Sequence, residues 1–281
     1  MVVFAGVCAA FAPPAVAQHE HPAGDPGKLG EVSFPVSCDP LVRPQFSSAV
    51  AMLHSFWYEK ASETFTAVAE KDPTCGMAYW GIAMTYYHPI WQAPGPAELK
   101  AGMASLEKAR LADAKTQRER DYIAAIAAFY TDADKLDHRT RALANEKAMD
   151  QLQARYPDDH EAAIFHALAL LATAPPTDRT YVNQKKAGAI LEPLFVEEPE
   201  HPGIAHYIIH AYDYPPLAQN ALDAARRYAK IAPDSPHALH MPSHIFTRLG
   251  LWRESITSNL VSVASAQKNN APGNELHAKD Y

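Results

Sequence analysis

Apolar residues recur at intervals of three and four through most of the chain, interrupted by short proline-bearing breaks. Over 138–155, Leu143, Met149 and Leu152 fall on one side, while Arg139, Glu146, Lys147 and Asp150 fall elsewhere. That is the stripe of a helix with one buried face. Alternating runs of β-branched residues, the mark of strands, are almost absent. The pattern predicts two interleaved sets of helices. The A set covers about 44–57, 75–88, 116–130, 159–173, 202–213, 236–250 and 274 onward. The B set covers about 58–71, 96–112, 138–155, 181–196, 216–231 and 252–268. The expected fold is all-α, with about six and a half antiparallel helix pairs.

The breaks are periodic. Turns at Asp72-Pro73, Tyr156-Pro157, Glu198-Pro199 and Ala232-Pro233 punctuate the chain, and Pro199 and Pro233 are 34 residues apart. That is the period of a tetratricopeptide repeat. In this register Ala61 and Phe65, Ala187 and Leu191, and Ala221 and Ala225 take the positions by which the two helices of a repeat pack. Ala225 stands where a bulkier residue is usual. Prolines between 89 and 96, at 175–176 and at 215–216 fall in the turns within a pair, where a missing amide donor costs nothing. Each pair buries its apolar face only against its neighbours, so the pairs stack into an α-solenoid over 44–281. The helix beginning near Asn274 has no B partner within the sequence, so the array is expected to continue past Tyr281.

Composition adds the compartment. Val2 to Phe11 is apolar and uncharged, and Ala15-Val16-Ala17 precedes Gln18. This reads residues 1–17 as a signal peptide, although without a basic start, and predicts a periplasmic or secreted protein. Residues 18–43 are expected as an extended segment. Cys38 and Cys75 then remain, both at the same end of neighbouring helices, and an oxidising compartment favours their disulfide. The net charge of −7, with both signs interspersed, argues against a nucleic-acid partner. No later segment is long and apolar enough to be an integral membrane span.

Leu53-His54-Ser55-Phe56-Trp57-Tyr58, Asp72-Pro73-x-Cys75, Ala78-Tyr79-Trp80-Gly81-Ile82-Ala83-Met84 and His237-Ala238-Leu239-His240-Met241-Pro242-Ser243-His244-Ile245-Phe246 together resemble a family of exported bacterial tetratricopeptide-repeat proteins. The resemblance covers nearly the whole mature chain. It implies the repeat fold and export, and it implies no mechanism.

The candidate chemistry is histidine. Six of the 14 histidines lie between 201 and 244: His201, His206, His210, His237, His240 and His244. His206 and His210 share a helix face, as do His240 and His244, and the two pairs are offset by one repeat of 34. By register they line the concave face of adjacent A helices, as do His237 and, one rung on, His277 and Tyr281. The expectation is one metal site made by His206, His210, His240 and His244, holding a divalent Zn, Cu, Ni or Fe ion. Asp213 and Tyr212 stand by as supports or an oxygen ligand, and Pro242 is placed to kink the helix and re-aim His244. The turn residue His201 should matter less.

Trp80, Met84, His54 and His88 extend the groove toward the N-terminus. A groove so lined also suits a partner protein, a peptide or a small ligand, and buried histidines serve structure alone as well. Binding scaffold and metalloprotein, enzymatic or not, both stay open. HExxH, phosphate-loop, G-x-S-x-G and CxxCH signatures are absent. The pairs Asp158-Asp159 and Glu197-Glu198 read as solvated turns, and His19-Glu20-His21 as a tail.

Overall fold

The computed structural model describes residues 27–112 and 114–281. The signal-peptide reading and His19-Glu20-His21 lie outside them. Every regular element among the described residues is helical. Helix α1 (Arg43–His54) pairs with α2 (Tyr58–Lys71), α3 (Gly76–Thr85) with α4 (Pro96–Leu111), α5 (Gln117–Tyr130) with α6 (His138–Arg155), and α7 (His160–Ala172) with α8 (Val182–Glu197). Helix α9 (Pro202–Tyr212) follows, then a short 3₁₀ turn (Ala218–Ala221) leading into α10 (Leu222–Ile231). Helices α11 (Pro236–His240) and α12 (Pro242–Arg248) form one broken helix that packs on α13 (Trp252–Lys268), and α14 (Pro272–Asp280) closes the described chain. The break falls at Met241-Pro242, as a proline inside a helix requires. Consecutive helices pack throughout, in the manner of an α-solenoid. No helix among the described residues is long and apolar enough to cross a membrane.

Local chemistry sets the starts. Thr116 and Glu119 cap α5 reciprocally, while Asp137, Asp159 and Ser235 accept the third amide of α6, α7 and α11. Prolines occupy the first turns of α9, α11, α12 and α14, where no donor is lost. Asp159, expected as a solvated turn residue, also pairs with Arg118 and Tyr122. Ala61, Phe65, Ala187, Leu191, Ala221 and Ala225 are all buried at helix contacts.

The stripe of α6 differs from the expectation. Leu143 is exposed, and the inner face is Ala142, Asn145, Met149 and Leu152. Asn145 is admitted because its amide donates to the Ala125 carbonyl at 2.9 Å, satisfying a buried polar group.

The extended segment 27–42 runs along the N-terminal ends of the A helices. The Asp39 amide donates to Asp72, ahead of α3. Ser37 donates through its amide and hydroxyl to Glu119 of α5. Arg118 reaches the Pro35 carbonyl, the Glu31 amide meets the Glu200 carbonyl ahead of α9, and the Lys28 amide meets Asp234 ahead of α11. Gly30 lies at φ +87, with Glu200 backbone only 2.7 Å from where a Cβ would stand, so only glycine fits there.

Phe34 inserts between rings of four successive A helices: Phe46, Trp80, Tyr122 and Phe165. Trp80 and Met84, expected in an open groove, are therefore core residues, 2% and 7% exposed.

Cys38 and Cys75 are joined, with Cα atoms 4.8 Å apart and a sequence separation of 37. Both are buried. Closing a loop of that length stabilises the fold by about 4 kcal/mol in the chain-entropy model. The double variant Cys38→Ser/Cys75→Ser is expected to lose about that much in urea denaturation, whereas a loss below about 1 kcal/mol would show the bridge to be thermodynamically idle.

Candidate metal centre

Six histidines collect on α9, α11, α12 and α14. His206 and His210 lie one turn apart on α9; His237 and His240 lie on α11, His244 on α12 and His277 on α14. They form two groups. In the first, Nε2 of His206 lies 3.0 Å from Nε2 of His210 and 3.1 Å from Nε2 of His237. In the second, Nε2 of His240 and of His244 are 2.9 Å apart, and a His277 ring nitrogen joins them. Within each group the candidate ligand atoms lie within 4.8 Å of one another. The single site expected from His206, His210, His240 and His244 is thus two triads. The heptad-like pairs divide because each pair recruits its third ring from the next helix along, His237 for the first and His277 for the second.

The opposite ring nitrogens fix the tautomers. His206 Nδ1 sits 2.6 Å from the His54 carbonyl, which only accepts, so Nδ1 carries the proton and Nε2 a lone pair. His244 Nδ1 sits 2.8 Å from a carboxylate oxygen of Asp213, and His240 Nδ1 sits 2.6 Å from the Asn259 amide oxygen. The Nε2 atoms of these two rings face each other at 2.9 Å. Contact at that distance needs a shared cation between them, a proton or a metal ion.

A proton on His240 is disfavoured. Burial, reinforced by the neighbouring imidazoles, pushes His240 down to about 3. Burial likewise takes His206 to about 3, and His210 and His237 well below the usual histidine range. Imidazole nitrogens that converge, with His206, His240 and His244 braced by an acceptor behind the ring, are what a transition metal needs.

Asp213 does not join the ligands. Its other oxygen takes the Arg248 Nε at 2.8 Å, and although burial raises its carboxyl, His244 and Arg248 hold it below the usual carboxylate range. Tyr212, expected beside it, instead donates to Glu192. His88 is apart from both triads, half-buried against Tyr58 with rings 4.5 Å apart. Asn259 and Phe56 were missed in sequence. Asn259 is one amide among the polar residues of a B helix. Phe56 caps the first triad, 4.4 Å ring to ring from His206, from a strained backbone at φ +52. Trp91 packs on His237 and His277, and Tyr281 stacks on His244. A cavity of about 340 Å³ opens beside His210, with Asp213 and Arg248 on its wall.

A third histidine group behaves differently. Glu161 accepts from His54 at 2.9 Å and His201 at 3.0 Å. The remaining His54 nitrogen meets Tyr207, and that of His201 accepts the Ile204 amide. Every nitrogen has a partner within the chain, and no lone pairs are opposed. Burial would raise the Glu161 carboxyl, but the two imidazoles bring it down to about 2. This network braces α1, α7 and α9 behind the first triad. His201, expected to be marginal, therefore has a structural post, and Glu161 had no signal in the sequence beyond its place in an apolar helix.

Comparison of the chain with models of known protein families and with curated proteins found no match, so the chemistry of this centre rests on its own atoms.

Proposed function

We propose that this is an exported helical-repeat metalloprotein of the tetratricopeptide type, holding transition-metal ions in the two three-histidine sites. One observation carries the reading: Nε2 of His240 and Nε2 of His244 stand 2.9 Å apart, with a His277 ring nitrogen beside them, while both Nδ1 atoms are committed to other partners. Three protein ligands per ion leave a coordination position for water or substrate, the arrangement of catalytic rather than structural sites. The disulfide agrees with an oxidising compartment. The competing reading, a groove for a partner peptide, loses its premise over α1 to α7, where Phe34 and the rest of segment 27–42 already lie.

Metal-free protein dialysed against Co²⁺ or Zn²⁺ is expected to take up two ions per chain. His206→Ala/His237→Ala and His240→Ala/His244→Ala should each remove one, with helical circular dichroism retained. Uptake that is negligible, or that neither pair of substitutions changes, would sink the proposal.

A further inference from the structure

Resting on that reading, we infer that the two triads act together as a coupled dicopper centre that binds dioxygen and reduces it to peroxide. The rings of the two triads interleave. Across the triads His237 lies 5.7 Å from His277 and 5.9 Å from His240, and His210 lies 6.3 Å from His244, centroid to centroid. Within the triads the separations run from 4.4 Å (His240 to His277) to 6.4 Å (His210 to His237). No side chain of another kind is needed to bridge the space: the six imidazoles form one continuous cluster.

The donor set then selects the metal. All six ligands are imidazoles. The near carboxylates stand behind the rings and not among them, Asp213 on His244 and Arg248, and Glu161 on His54 and His201. Two dications facing each other in such a pocket repel, with no protein anion between them. Zinc, nickel and iron(II) have no stable monovalent alternative. Copper does, imidazole suits it, and it binds nitrogen donors most tightly among the divalent first-row ions. The resting pair is then two Cu(I) ions.

Oxidation to Cu(II) becomes favourable when an anion arrives with it, and dioxygen supplies that anion. Each Cu(I) gives one electron, dioxygen accepts both, and the resulting peroxide dianion bridges the two Cu(II) ions. The O–O bond is retained and no proton moves. The cavity of about 340 Å³ that reaches His210 gives a small molecule its approach.

Protein loaded with Cu(I) under nitrogen and then exposed to dioxygen tests this. The expected result is two coppers per chain, uptake of one dioxygen per pair, an intense near-ultraviolet peroxide-to-copper charge-transfer band, and an oxidised form without a copper electron-spin-resonance signal. His277→Ala, at the periphery on α14, should abolish the band and expose the resonance of the surviving site while helical content is kept. Two coppers per chain with full independent resonance and no band would overturn the coupling and leave the metalloprotein standing. Stable binding of zinc with refusal of copper would overturn the copper assignment. Failure to bind any metal would remove both readings.

Discussion

Metal-free protein is expected to lose stability steeply as the pH falls below about 6.5. His206, His210, His237 and His240 all have folded-state pKa values depressed by burial, His206 and His240 to about 3. A depressed histidine is neutral in the fold but takes a proton in the unfolded chain. Its contribution is therefore complete above the unfolded value near 6.5 and is lost progressively as pH falls toward the folded value. Each such group removes up to about 1.4 kcal/mol per pH unit. Four together approach about 5 kcal/mol per unit, enough to exhaust an ordinary domain's stability within two units. Urea denaturation between pH 7.5 and 4.5 measures the slope. A stability flat over that interval would mean that the rings are solvated or already charged. Bound metal should raise the whole curve with little change of slope over this interval, because the folded nitrogens it takes are already unprotonated there.

Phe34→Ala is expected to cost about 3–5 kcal/mol, the range for emptying a fully enclosed aromatic site. The ring touches Phe46, Trp80, Tyr122 and Phe165, one from each of α1, α3, α5 and α7, and the Arg118 guanidinium lies over it. No single helix can move to refill the space. Thermal or chemical denaturation gives the loss directly. The second sign is proteolysis: cleavage between 27 and 36 should become fast in the variant while the helices resist. A cost below about 1 kcal/mol would show that the segment merely rests on the helices.

The helices were legible because their signals are local. Proline turns and three-four periodicity placed every A and B helix near its observed position, including the break at Pro242. The offset of 34 brought His206 and His210 alongside the pair on the next rung. What the residues did not show is where the third ring of each triad comes from. His237 and His277 had been placed on the same face, but their partition between two sites depends on how the helices are inclined to one another, which no spacing encodes. Trp80 and Met84 failed for a related reason. Register told which face they share, and only the course of segment 27–42 told that the face is covered. Asn259 and Glu161 are invisible because a single polar residue on an amphipathic helix looks the same whether it meets water or an imidazole.

The course of that segment also changes how the array holds itself together. In an ordinary stack each repeat feels only its two neighbours, so end repeats fray and partial unfolding spreads in steps. Here residues 28–39 touch the starts of α3, α5, α9 and α11 in turn, the disulfide fastens one end, and the Glu161 network ties α1 to α7 and α9. These couplings join distant rungs directly. The one-dimensional chain of nearest-neighbour terms becomes a closed loop of interactions, and opening any rung forfeits contacts at several others. The histidine rungs thus share the stability of the whole and not only that of their two neighbours.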